Sequence, residues 1–154
     1  MTAKETKLLK FIANSSQFVI PIYQRTYSWT EQECFQLWQD ILRAGANEKI
    51  GAHFIGSVVY VQDGNYSVSA QSSLLVIDGQ QRLTTVTLLL AALSDLLDDD
   101  QEIIEDFSKK KLTGRYLIDP FESGDKKYKL ILSQTDKDTL IALIDKSKVN
   151  FPKD

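Results

Sequence analysis

The residues with the clearest potential for chemistry lie together in one short stretch, Val76-Ile77-Asp78-Gly79-Gln80-Gln81-Arg82-Leu83-Thr84-Thr85. An apolar run over residues 74–77 has the length of a strand and stops at Asp78, and a helix that is apolar on almost every side is predicted over residues 81–97. The first N–H groups of a helix have no intrahelical partner and carry partial positive charge. The stretch therefore predicts a phosphate-binding turn between a strand and a buried helix.

Each polar residue of this turn has a candidate role. Gly79 lets a phosphate approach the backbone closely, and Arg82 offers a guanidinium fork that matches phosphate oxygens. Thr84 and Thr85 are candidate hydroxyl donors. Asp78 would repel a phosphate unless it holds Mg²⁺, orients a water or bonds to a ribose hydroxyl. In a simpler alternative, Asp78 only caps the helix and Arg82 pairs with a surface carboxylate.

A second stretch, residues 21–29, mixes polar and aromatic side chains. Gln24 and Arg25 lie among Tyr23, Tyr27 and Trp29. This mixture suits the stacking of a base and the binding of phosphates. The alternative is an aromatic cluster at the edge of the core, with polar tips that reach water.

The third stretch is His53-Phe54-Ile55-Gly56-Ser57. Its glycine permits close approach, and His53 is a candidate proton carrier because histidine titrates near neutral pH. A lone histidine is more often structural. The single cysteine, Cys34, lies in a predicted helix and is interpreted as a packing residue.

The composition limits what these stretches can do. The chain of 154 residues is 43% apolar, enough for the core of a single domain over residues 1–154. A net charge of −3 and a pI near 5.2 argue against binding nucleic acid through bulk positive charge. One histidine and one cysteine cannot form a structural zinc site or a histidine-rich nuclease centre. No signal peptide or bilayer-length apolar run is present, so a cytoplasmic protein without a membrane partner is expected.

Interleaved helices and strands predict an α/β (or α+β) fold. Helices are predicted to begin at capping boxes over residues 2–5, 30–33 and 135–138, in addition to the helix over 81–97. The second is expected to end near Gly45, and residues 102–107 are a further helix candidate. Strands are predicted over residues 18–22, 74–77 and 128–132. Because Pro21 cannot donate a hydrogen bond, the first is expected to lie at a sheet edge or to begin at a break. A hairpin is predicted from a strand over 54–62, through a turn at 63–65, to a strand over 66–69.

In their order and spacing, the three stretches resemble the signature of the GmrSD restriction endonuclease N-terminal domain family. The first of them, which contains Asp78-Gly79-Gln80-Gln81-Arg82, is the most specific. The resemblance implies a ParB/sulfiredoxin-like domain with a small mixed sheet and flanking helices. In that fold a Gly-x-x-Arg turn at a helix N-terminus engages nucleotide phosphates, and here the turn corresponds to Gly79 through Arg82.

The resemblance further implies a nucleotide-binding, nucleoside-triphosphate-hydrolysing regulatory domain of a modification-dependent restriction enzyme for phage defence. In relatives a C-terminal His-Asn-His-type nuclease cuts the DNA. This chain is therefore expected to be a fragment that meets DNA through the full-length protein. The expected catalytic residues are Asp78, Arg82 and His53, with Asp78 as a Mg²⁺ ligand. The expected nucleotide contacts are Tyr23, Gln24, Arg25, Gly79, Gln80, Gln81, Arg82, Thr84 and Thr85, with Tyr27 and Trp29 for base stacking.

Two alternatives remain from the sequence. In one, the domain is a non-catalytic module that reads DNA or a modified base and signals to a C-terminal nuclease, with Tyr23, Tyr27 and Trp29 stacking on a flipped base. In the other, it is a purely structural interaction domain that binds neither ligand.

Overall fold

A computed structural model of the protein describes residues 1–62 and 72–147. Its helices and four-stranded mixed sheet confirm the predicted α/β class. The elements in chain order are α1 (Leu8–Asn14), β1 (Phe18–Val19), α2 (Glu31–Ala46), β2 (Val59–Gln62), β3 (Leu74–Asp78), α3 (Gln80–Leu96), α4 (Lys109–Leu112), β4 (Leu130–Ile131) and α5 (Gln134–Asp145). A π-helical turn, Thr113–Leu117, continues α4, and a 3-10 turn, Gly124–Lys127, precedes β4.

The sheet has the strand order β2-β3-β1-β4. The strand β1 pairs in parallel with β3, where Phe18 lies opposite Leu74, and with β4, where Phe18 lies opposite Leu130. The strand β2 is antiparallel to β3. The carboxyl ends of β1, β3 and β4 therefore meet at one edge of the sheet, and α3 begins at that edge directly after β3.

The helix α3 packs at the centre of the molecule, against α4, the π-helical turn and α5. Its buried residues are Gln80, Gln81, Leu83, Thr84, Val86, Thr87, Leu90, Ala91 and Ser94. Phe18 and Val76 of the sheet are almost fully buried in the same core. Each fully buried large apolar side chain contributes roughly 1.5–3 kcal/mol, so this core stabilises the packing of α3. The predicted buried helix is confirmed, one residue earlier than expected.

Two of the predicted capping boxes are wrong. The first helix begins at Leu8 and not at Thr2, because residues 1–7 are exposed and only the apolar face from Leu8 onward packs on the core. The last helix begins at Gln134 with Ser133 as its N-cap, so the predicted cap, Thr135, lies inside the helix. The carboxylate of Asp136 accepts the backbone N–H of Tyr27 at 2.7 Å.

The capping box of α2 is confirmed: the hydroxyl of Thr30 accepts a backbone N–H, and the Glu33 carboxylate accepts the N–H of Thr30 at 2.7 Å. The helix continues past Gly45 to Ala46. Residues 102–107 are not helical. The ammonium of Lys111 closes this segment by donating to Glu102 and Asp106, at 2.9 and 3.0 Å.

Of the two alternatives for β1, the position at a sheet edge is wrong, because β1 has a neighbour on each side. Pro21 does not interfere, since the strand ends at Val19 and the last ladder bond runs from the N–H of Ile20 to the carbonyl of Ile131. The strands β3 and β4 lie where expected, although β4 is shorter. Only residues 59–62 of the predicted strand over 54–62 form a strand, and the rest of the hairpin, residues 63–69, lies outside the described residues.

None of the helices in the described part of the chain is long and apolar enough to cross a bilayer.

Candidate functional site

The turn between β3 and α3 has the geometry of an anion-binding helix terminus. Gly79 is the N-cap, in a left-handed conformation with φ of +92°, and a Cβ there would lie 2.7 Å from the carbonyl oxygen of Ser57. The first intrahelical bond runs from the N–H of Leu83 to the carbonyl of Gly79, so the N–H groups of the three preceding residues have no intrahelical partner. Asp78 is not the cap, and one of its carboxylate oxygens accepts the N–H of Gly79 at 2.8 Å. The alternative in which Asp78 caps the helix is therefore wrong.

Arg82 connects this turn to the third stretch. Its Nη1 donates to the carbonyl of Ser57 at 3.3 Å. Gly56 has a φ of +111°, and a Cβ there would lie 2.4 Å from Cζ of Arg82. The positive φ favours a glycine at this position, and a side chain there would displace the Arg82 guanidinium, which lies against the backbone. No carboxylate among the described residues forms an ion pair with Arg82, so the alternative of a surface ion pair finds no support there.

The three stretches meet around one open cleft of about 270 Å³. The residues that line it are Arg25, Trp29, Phe54, Gly56, Ser57, Asp78, Gly79, Gln80, Gln81 and Arg82. The lining contains two arginines and one aspartate, and the open N-terminus of α3 adds further positive potential. Within residues 1–62 and 72–147, Arg25 also has no ion pair. The cleft therefore suits a small anion that carries more than one negative charge.

Gln81 holds the second stretch against α3. The residue is 6% exposed. Its Oε1 accepts the N–H groups of Ser28 at 2.7 Å and Trp29 at 3.3 Å, and its Nε2 donates to the carbonyl of Thr26 at 3.1 Å. The side chain is thus used within the protein, whereas the backbone N–H of Gln81 lies at the open helix terminus.

Tyr27 is fastened at both its backbone and its hydroxyl. Its N–H donates to Asp136, and its hydroxyl lies 2.8 Å from the hydroxyl of Thr85 and 3.2 Å from the sulfur of Cys34. Burial raises the pKa of Tyr27, and the hydrogen bond with Cys34 adds to the increase. Tyr27 does not line the cleft, in contrast to Trp29. Base stacking by Tyr27 stays a prediction, with its hydroxyl end already anchored inside the protein.

Several other predicted nucleotide contacts lie beside the cleft and not in its lining. Gln24 donates to the carbonyl of Ile77 at 3.2 Å and accepts from the Gln80 amide at 3.4 Å. The hydroxyls of Thr84 and Thr85 donate to backbone carbonyls one helical turn earlier, at 2.7 and 2.8 Å. Tyr23 is 73% exposed. Their roles toward a nucleotide stay predictions.

The structure does not bring His53 into the cleft lining. Its Nε2 lies 3.7 Å from a carboxylate oxygen of Asp40 in α2. The next residue, Phe54, lines the cleft instead and is 82% exposed. Sequence reasoning singled out the histidine and gave Phe54 and Ser57 no role. The signal that could have found them is the neighbouring Gly56, whose conformation brings this segment against Arg82.

The described residues contain no group of three or more histidine, cysteine, aspartate or glutamate side chains that could hold a metal ion. Asp78 would thus be a lone carboxylate ligand. Mg²⁺ bound to a nucleotide commonly takes one or two carboxylates, with phosphate oxygens and waters completing the octahedron. The donor set fits a metal that arrives with a nucleotide, and it does not fit a metal held by the protein alone.

Comparison with known protein families gives one match over residues 6–154, to the family described as GmrSD restriction endonuclease, N-terminal domain. The match includes all of the stretches that line the cleft. No curated protein matches the chain.

Proposed function

Because this chain belongs to the GmrSD restriction endonuclease N-terminal domain family, we propose that it is the nucleoside-triphosphate-binding regulatory domain of a restriction enzyme. The restriction-related role in phage defence follows from the family, and the nucleotide is our inference. The observation that carries it is the meeting of Arg25, Arg82 and the open N-terminus of α3 around one cleft.

The phosphates would bind at the start of α3. Backbone N–H groups from Gln80 through Arg82 can donate to phosphate oxygens without losing any intrahelical bond. Arg82 is held in place by Ser57 through Nη1, which leaves its other N–H groups for a charge-assisted, bidentate contact. Arg25 would approach the same phosphates from the second stretch.

The base would lie between the aromatic side chains that line the cleft. Trp29 is half-buried and Phe54 is exposed, so one presents a fixed face and the other can adjust. Stacking on such side chains is tolerant of base identity. We therefore propose that all four ribonucleoside triphosphates are candidates.

Hydrolysis would transfer the γ-phosphoryl group to water: a P–O bond to the water oxygen forms as the bond to the β-phosphate oxygen breaks. The products would be the nucleoside diphosphate, inorganic phosphate and a proton. Arg25 would neutralise charge that develops on the transferred group. Asp78 would hold a Mg²⁺ that arrives with the nucleotide, through the carboxylate oxygen that is not bonded to Gly79, and the metal would supply positive charge to the phosphates. We propose no proton transfer by His53, because it lies beside Asp40 and outside the cleft lining.

The aromatic pair Trp29 and Phe54 also favours a second candidate, a non-catalytic module that holds a flipped modified base. In either case the domain would signal to a C-terminal nuclease, and DNA would be bound by the full-length protein. The net charge of −3 makes the DNA-reading role the weaker of the two.

The test is calorimetric titration of the purified chain with ATP, GTP, CTP and UTP in turn, each with Mg²⁺. Loss of a charge-assisted bidentate contact in Arg82→Ala should weaken binding about tenfold or more. Arg115→Ala is the matched control, since this arginine faces Asp106 and does not line the cleft, and its affinity should equal that of the wild type. Equal affinity in Arg82→Ala would refute the assignment. No heat with any triphosphate, together with salt-dependent DNA binding, would favour the second candidate.

A further inference from the structure

The carboxamide of Gln81 makes three hydrogen bonds that join α3 to the segment of residues 26–29. We propose that Gln81 is a positioning residue, which sets the width of the cleft by holding Arg25 and Trp29 opposite the start of α3. This inference rests on the proposed binding of a triphosphate. It gives the Gln81 side chain a role within the protein and leaves its backbone N–H as a candidate phosphate donor.

The partners of Gln81 leave no doubt about which way its amide faces. Two backbone N–H groups, from Ser28 and Trp29, point at Oε1, and a backbone carbonyl, from Thr26, lies at Nε2. The reverse orientation would place an NH₂ group against two N–H donors. An amide oxygen accepts through two lone pairs, so both acceptor positions are occupied, and Oε1 has none left for a ligand.

These bonds hold the segment on both sides of Tyr27, at Thr26 and at Ser28. Arg25 directly precedes the held residues and Trp29 is the last of them, and both line the cleft. The orientation of one cationic and one aromatic cleft residue is therefore set by the position of Gln81 in the first turn of α3. That same turn supplies the open N–H groups and Arg82.

The segment has a second attachment that does not involve Gln81. The N–H of Tyr27 bonds to Asp136 at 2.7 Å, and its hydroxyl bonds to Thr85 at 2.8 Å. Removal of the Gln81 carboxamide should therefore leave the segment on the protein while freeing Arg25 and Trp29 to move relative to Arg82. A change in geometry across the cleft, without detachment, is what distinguishes a positioning residue from a general stabiliser.

Gln81→Met tests this, because methionine fills a similar volume and makes none of the three hydrogen bonds. The matched control is Gln17→Met. Gln17 is 8% exposed, and its bonds to Ser73 and to the carbonyls of Asp125 and Tyr128 lie at the opposite edge of the sheet. Both variants should lose stability, but only Gln81→Met should lose affinity for ATP, GTP, CTP or UTP, by about tenfold.

A second readout needs no nucleotide. In a Trp38→Phe background, Trp29 is the only tryptophan. In Gln81→Met its emission should shift to the red, and acrylamide should quench that emission more strongly because the indole is more exposed. In Gln17→Met both should be unchanged. Gln81→Glu, which keeps the acceptor bonds to Ser28 and Trp29 but loses the donor to Thr26, should give intermediate emission and reduced affinity; it serves if the methionine variant does not fold.

The outcomes separate the two proposals. If the wild type binds none of the triphosphates, the proposed function fails, and the Trp29 emission still reports whether Gln81 holds the segment. If the wild type binds and Gln81→Met binds equally well, or if Trp29 emission is the same in both, the positioning role is overturned.

Discussion

At the amino end of the parallel strands the buried polar side chains bond within the protein, whereas at the carboxyl end donors face an open cleft. Gln17, which precedes β1, bonds to Ser73 before β3 and to the carbonyl of Tyr128 before β4. The ammonium of Lys129 donates to two carbonyls at the end of α1, at 2.6 and 3.3 Å. Burial lowers the pKa of Lys129. The two carbonyls accept hydrogen bonds that its ammonium would otherwise donate to water.

At the carboxyl end, the side chains of Arg25 and Arg82 and the first N–H groups of α3 line the cleft. Parallel α/β sheets bind ligands at the carboxyl ends of their strands, because the following helices begin there and present their N–H groups. The comparison teaches that the amino end of this sheet satisfies its polar groups within the fold. At the carboxyl end the two arginines have no ion pair among the described residues, and the first N–H groups of α3 have no intrahelical partner.

The largest expected effect concerns the amino end. Gln17→Met removes three hydrogen bonds and leaves the carbonyl of Tyr128 without its side-chain donor. The free energy of unfolding should fall by roughly 2–4 kcal/mol, measured by urea denaturation. Nucleotide affinity should stay within twofold of the wild type at a temperature where both are folded. An equal loss of affinity would show that the two ends do not act separately.

Gly56→Ala should disturb the carboxyl end. The new Cβ would lie 2.4–2.7 Å from Cζ, Nη1 and Nη2 of Arg82, at a residue whose φ is +111°. We expect a loss of about 1–3 kcal/mol in unfolding free energy and a clear loss of triphosphate affinity by calorimetry. Gly45→Ala is the control, because its Cβ meets no atom within 4 Å and lies in α2. That variant should gain about 0.5–1 kcal/mol and keep its affinity.

Tyr128→Phe tests the amino end through pH. Burial, followed by the hydrogen bond to Asp145, raises the pKa of Tyr128 to about 12. Because this folded-state pKa lies above that of the unfolded chain, the stabilisation is complete below about pH 10 and is lost as the pH rises through about 12. The variant should unfold more easily by about 1 kcal/mol at pH 8. Urea denaturation at pH 8 and pH 11.5 should show that this difference shrinks; a constant difference would contradict it.

The smallest effect is expected for Thr84→Val. The Thr84 hydroxyl is buried and donates to the carbonyl of Gln80, which is also a helical acceptor. Stability should change by about 0.5 kcal/mol, and calorimetry should give an unchanged triphosphate affinity. A tenfold loss would instead support the sequence-based prediction that this hydroxyl binds the nucleotide.

The sequence predicted the carboxyl end better than the amino end. The turn residues Asp78 through Arg82 are contiguous, so the strand, the glycine and the helix start can be recognised from local pattern alone. The amino-end network joins Gln17, Ser73 and Tyr128, which are far apart in the chain and carry no local signal. Its existence depends on strand order, and that order was not predictable from β1, because Pro21 indicated either an edge or a break and β1 has a neighbour on each side.

Within the cleft, residue types were predicted more reliably than side-chain directions. Gln81 was recognised as part of the site, but a pattern cannot show that its amide bonds to a segment more than fifty residues away. His53 was chosen because of its titration range, while the fold directs it to Asp40. The likeness to the ParB and sulfiredoxin folds stays a prediction, as do the Mg²⁺ and nucleotide assignments.

The most direct test of the central claim is to record backbone amide shifts of the ¹⁵N-labelled chain while ATP, GTP, CTP and UTP are added in turn with Mg²⁺. The account predicts that at least one triphosphate moves the amides of Gly56, Ser57 and residues 79–82, and leaves those of Gln17 and Lys129 in place. Shifts at Gln17 and Lys129 without shifts at residues 79–82, or no shifts with any triphosphate, would contradict the assignment of the ligand to the carboxyl end of the sheet.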